Sequence, residues 1–273
     1  MHFHWALTIV FVVCLRGFPV FGASEIPEDL LDDEHVREEL GVNVFTAPSI
    51  GKILSDLKRF QPVDYPKLAR ALPDAVYPAR PQLALNFGVL VGDGFLIIAA
   101  EQPAAVEDFG RAMLRIATSL GLRDEVTRYS KSMQTLAQTG RWEDLKRELN
   151  AAQREIERVM VRYRDEEVAH LVSVGGWLRG VEILSGALKD DYTPEKAKDL
   201  LRLDVLDYFI ERISLFESNA AKNAAVLETL SCLKTIRSLL SDHGGDPPPA
   251  ATVAEINRVA GETVRRIAAM PPQ

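Results

Sequence analysis

Cysteine is nearly absent. Two occur in 273 residues, Cys14 and Cys232. Cys14 falls in a segment that reads as removable, so Cys232 stands alone and no intrachain disulfide is available. Stability has to come from packing. Aromatic residues are scarce too, at 7%, and apolar β-branched runs are few beyond the first hundred residues. Leu and Ala carry the apolar content instead, which leans towards helix. Basic charge is in deficit, with 32 Lys and Arg against 39 Asp and Glu and a net charge of −7. Such a chain has no electrostatic reason to bind nucleic acid or an anionic lipid surface.

Catalytic signatures are missing as well. The sequence holds no G-x-S-x-G, no Walker lysine loop, no C-x-x-C-H and no H-E-x-x-H. Beyond the N-terminal segment the histidines are His35, His170 and His243, scattered and unsuited to a zinc site. No cofactor and no metal is implied.

What is present is ordinary for a globular protein, 47% hydrophobic and 26% charged. Residues 1–23 read as a signal peptide. Trp5–Leu15 is an apolar run too short for a bilayer, where about 20 residues are needed, and Pro19, Gly22 and Ala23 follow it. A basic n-region is lacking. The expectation is export, to a periplasmic or extracellular address, with no integral membrane segment after cleavage. Residues 24–48 form an acidic arm, and Ser49 is placed to cap a helix through Phe60. A helical core domain is expected over 49–242, a Gly/Pro linker over 243–250 and a C-terminal amphipathic helix over 251–273.

Gln82–Glu101 is the centre of the pattern, almost wholly apolar, with Asn86 and Asp93 its only polar residues between the ends. The VLV-GDG-FLII run also admits a β-hairpin, but an isolated hairpin is marginal in water and no further strand is on offer. As a helix, the stretch puts Asn86 and Asp93 on one stripe and Gly88 and Gly92 on another side. Val168–Lys189 repeats the arrangement, with Gly176, Gly180 and Glu182. Interior glycines weaken a helix, so both pairs predict close packing. Between these stretches, Leu122–Leu136 and Trp142–Tyr163 carry apolar residues at alternating steps of three and four, which predicts an antiparallel αα-hairpin. The run Gly140–Leu145 resembles the turn and second-helix start of a tetratricopeptide unit, but the recurrence of about 34 residues that defines such arrays is absent. Further helices are expected from Pro194 to Glu217, from Asn219 to Asp242 and from Thr252 to Met270. The fold class is all-α, a multi-helix bundle of about eight or nine helices built from antiparallel αα-hairpins.

Two constellations carry candidate chemistry. Asn86, Asp93, Arg179 and Glu182 form a buried polar set if the glycine-rich helices pack together. A carboxylate in so apolar a helix needs a partner, and Arg179 is the obvious one for Asp93. Glu167-x-x-His170, with Glu166 beside it, has the spacing of carboxylate-bridged di-iron bundles, but no second such pair exists beyond the N-terminal segment. A seam histidine bonded to Glu166 is the plainer reading. Three functions follow: a non-enzymatic binding or scaffold module of the cell envelope with an unidentified protein partner; a bundle binding a small ligand or ion at the Asp/Arg/Glu set; or an enzyme whose acid–base pair comes from Asp93, Glu182 or His170.

Overall fold

The computed structural model describes residues 56–60, 62–73, 77–162 and 165–269. The signal peptide, the acidic arm and the Ser49 cap fall outside them. Among the described residues there is no strand. Eight α-helices of twelve residues or more build the fold: α1 (Arg80–Ala99), α2 (Pro103–Leu120), α3 (Arg123–Gln138), α4 (Trp142–Arg162), α5 (Glu166–Asp190), α6 (Leu203–Ser214), α7 (Ala224–Ser241) and α8 (Ala250–Ala268). It is an all-α multi-helix bundle.

Local chemistry sets most boundaries. Proline stands in the first turn of α1 and of α2, where its missing N–H costs nothing. Gly121 ends α2 at φ 82°, a left-handed position that glycine takes without strain. Asn223 caps α7 by accepting from the Ala225 and Val226 amides. The helix expected from Pro194 to Glu217 is broken into Pro194–Ala197, a 3-10 turn at Lys198–Leu200, and α6. The break at Leu201–Arg202 lets both halves bury apolar residues, Ala197 and Leu200 before it, Leu206 and Phe209 after it. Asn219 opens a 3-10 turn capped by Ser218. Thr252 does not cap α8, which begins two residues earlier; its hydroxyl sits 3.0 Å from His243 Nε2.

At the centre, α1 is buried at 17 of its 20 residues, and α5 is buried along most of its length. Helices apolar all round belong in a core. Both are long and apolar enough to cross a membrane, yet 89% of each apolar window is covered by the rest of the protein. Their contact is backbone to backbone. A Cβ on Gly88 would stand 1.8 Å from the Val172 carbonyl oxygen, and one on Gly175 2.2 Å from that of Leu85. The register Leu85–Gly175, Gly88–Gly176, Gly92–Arg179 advances in the same sense along both helices. The central pair is therefore parallel, formed across the sequence rather than by a hairpin.

Around this pair, α1 to α4 follow one another as antiparallel neighbours through connections of two or three residues. On the other side, α6 and α7 pack together and α7 packs on α8. The 243–250 segment does not lead to an appended helix. Val253, Ile256, Ala260 and Val264 of α8 are completely buried, and α8 lies against α5, Asn257 beside Ser185 and Gly261 beside Glu182.

Candidate functional site

Asp93 and Arg179 meet where α1 crosses α5. Arg179, 2% exposed at its side chain, uses all three guanidinium nitrogens. Its Nε donates to Asp93 Oδ1 at 2.8 Å, Nη1 to Glu182 Oε2 at 2.8 Å, and Nη2 to the Leu68 carbonyl at 2.6 Å. The second Asp93 oxygen lies 2.8 Å from Arg70 Nη2, a contact held by charge rather than by an aligned hydrogen bond. Burial opposes the Arg179 charge, but Asp93 and Glu182 outweigh it and hold its pKa above the ordinary value. Two carboxylates and two guanidinium groups thus form a neutral, closed set. Burial, reinforced by Asp93, also raises the neighbouring Tyr65 phenol.

Asn86 belongs elsewhere. Its Nδ2 donates to the Ile267 carbonyl at 2.6 Å, Gln82 Nε2 donates to Ile267 and Ala269, and the Tyr77 hydroxyl to Ala268. These side chains satisfy the last carbonyls of α8, which have no partners within their own helix. Seven residues of helix, about 10 Å, separate Asn86 from Asp93. The polar set expected from sequence is therefore two separate groups, Asn86 at the end of α8 and Asp93 with Arg179 and Glu182. Gly88, Gly92 and Gly176 stand at the α1–α5 contact; Gly180 is buried in α5.

The Glu166, Glu167 and His170 group does not converge. Glu166 is exposed. Glu167 accepts from the Glu217 and Ser218 amides and the Ser218 hydroxyl, tying down the turn after α6. The His170 partner is Tyr208 rather than Glu166, with Nδ1 3.5 Å from the hydroxyl and the rings edge to face. Burial, assisted by the Arg212 charge and opposed by Glu167, lowers its pKa to about 4. Cys232 is buried and its thiol pushed up to about 11 by burial, so it is unreactive near neutral pH. Among the described residues no three His, Cys, Asp or Glu side chains group as a metal site.

One open space in the fold is mostly apolar. A cavity of about 300 Å³ lies among α1, α2, α3 and α4. Val91, Gly94 and Ile97 of α1 and Leu145, Leu149 and Ile156 of α4 form its floor; Phe109 and Met113 of α2 and Val126 and Met133 of α3 form its walls. Its cause is visible in the seam. Leu145, Leu149 and Ile156 are buried, but their α3 counterparts Tyr129, Met133 and Leu136 are only half-buried. The exposed lining residues Glu107, Arg111, Lys131 and Gln134 sit on α2 and α3 and mark the mouth.

Comparison with protein-family models, with curated proteins and with solved structures gives no match. The site has to be read from its own geometry. Sequence reasoning missed Arg70, which follows a one-turn helix with no periodic signal, and it missed the cavity. One signal for the cavity was available: Gly110, a glycine in the middle of an amphipathic helix.

Proposed function

We propose that the chain is an exported, non-enzymatic binding module and that it takes a small apolar ligand into the α1–α4 cavity. The observation that carries this reading is the cavity itself. At about 300 Å³ it is twice the size of the ~150 Å³ apolar void that admits benzene and reaches the lower range of small-molecule pockets. Charged groups gather at its mouth and mostly apolar ones at its floor, where Gln153 of α4 is the buried polar exception, close to the usual division between orientation and affinity. The buried charges give catalysis no support, since both Asp93 oxygens face arginines. A partner-binding role for α6 to α8 has less support, because most of their apolar residues are buried within the chain, although Leu227 of α7 and Leu215 just after α6 are exposed. Export rests on the apolar run 5–15 and the small residues before Ser24.

The test is titration of the purified protein with the apolar dye N-phenyl-1-naphthylamine, beside native mass spectrometry. Saturable fluorescence enhancement at one dye per chain is expected. Absence of saturable binding overturns the reading.

A further inference from the structure

The shape of the cavity narrows its ligand. The lining runs from Val91 to Ile98 on α1 and from Leu145 to Ile156 on α4, about 10 to 16 Å along the helix axes at 1.5 Å per residue. A volume of about 300 Å³ drawn out over that length makes the cavity elongated, a shape that suits one extended hydrocarbon chain. A fused ring system needs a wider, shorter space.

Gly110 of α2 lines the mouth. Glycine inside a helix weakens it, and a close neighbour commonly accounts for its presence, as at Gly88. At Gly110 nothing lies within 4 Å of where a Cβ would stand. No packing demand explains the residue; keeping the mouth clear does.

The mouth also carries charge. Arg111 is engaged by Glu107 and Asp108. Lys131, on the opposite side, is exposed and forms no ion pair among the described residues. Its ammonium is available to a ligand head group.

We propose that the cavity holds one free, unbranched aliphatic carboxylate, with its chain between α1 and α4 and its carboxylate at Lys131. This rests on the binding reading above. Met113 and Met133 in the walls suit it, because thioether side chains adapt to a flexible chain.

The experiment is displacement of N-phenyl-1-naphthylamine by hexanoate, octanoate, decanoate and dodecanoate, each beside the alcohol of the same length. Affinity is expected to rise about three- to four-fold per added methylene until the cavity is full, then level off. Gly110→Leu is expected to melt at or above the wild-type temperature and to lose at least about ten-fold in decanoate affinity. Should it fail to fold, Gly110→Ala shortens the best chain by about one methylene. Lys131→Gln is expected to weaken the carboxylates about two- to five-fold and leave the alcohols unchanged. In flotation with phosphatidylglycerol vesicles the protein is expected to stay in the lipid-free fraction; co-flotation that decanoate abolishes overturns the free-acid assignment in favour of a membrane-held chain. Dye bound but not displaced by any carboxylate overturns this inference alone, whereas dye that never binds removes the binding reading beneath it. Equal loss of carboxylate and alcohol in Lys131→Gln overturns the head-group assignment.

Discussion

Asp93 is one carboxylate between two guanidinium groups, and its removal leaves more charge uncompensated than it takes away. Asp93→Asn strands Arg179 and Arg70 beside each other with only Glu182 to balance them. Breaking a buried pair from one side costs about 3–5 kcal/mol. A loss of that order in urea unfolding, with dye affinity unchanged, is the expected outcome. His170 gives a second residue-scale prediction, through pH. Burial holds its folded pKa at about 4, against the ordinary imidazole value of 6.5. Between those values the unfolded chain takes up a proton that the folded chain refuses. Stability from this group is full above about pH 6.5 and is lost on acidification, by up to about 3 kcal/mol at pH 4. Urea midpoints measured from pH 7 to pH 5 should fall for the wild type and stay nearly level for His170→Gln.

At the scale of elements, two helical glycines make opposite predictions. Gly88→Ala drives a Cβ into the Val172 carbonyl, so α1 and α5 must separate, at a cost of about 3 kcal/mol or more. Gly110→Ala meets open space and is expected to stabilise by about 1 kcal/mol through helix propensity alone. Thermal melts of the two variants check both signs. Helix α3 is the weakest link in the packing, since only Val126 and Ala137 of its 16 residues are buried. Its amides are expected to exchange fastest among the eight helices. This scale also shows what could be read from sequence. Glycine spacing and one unpaired acid in each apolar helix brought Gly88 to Gly176 and Asp93 to Arg179. The three-four seam gave the α3–α4 hairpin. Periodicity could not say that the seam stays open beside Met133, because it fixes which face turns inward and not how far apart the facing helices stand. Arg70 and the Leu68 carbonyl were not legible for another reason: they lie just after and at the end of a single helical turn, Tyr65–Leu68, whose placement only tertiary contact decides.

Over the whole molecule, the chain divides its polar and apolar features by task. The buried charges, the Asn86 and Gln82 donors at the end of α8, and the glycine contact all hold α1, α5 and α8 in one register. They make α8 part of the centre although a Gly/Pro segment precedes it, a position that amphipathicity alone left open because an apolar face fits a core and a partner equally well. The α2–α3–α4 layer is where packing is incomplete, and the apolar volume left there is where the proposed ligand would bind. The measurement that tests this division most directly is one dye titration across three proteins: wild type, Asp93→Asn and Gly110→Leu. The account predicts wild-type affinity in Asp93→Asn despite its lower melting temperature, and loss of binding in Gly110→Leu despite a melting temperature at or above wild type. Binding lost in folded Asp93→Asn and kept in Gly110→Leu would place the ligand at the charge network and contradict it.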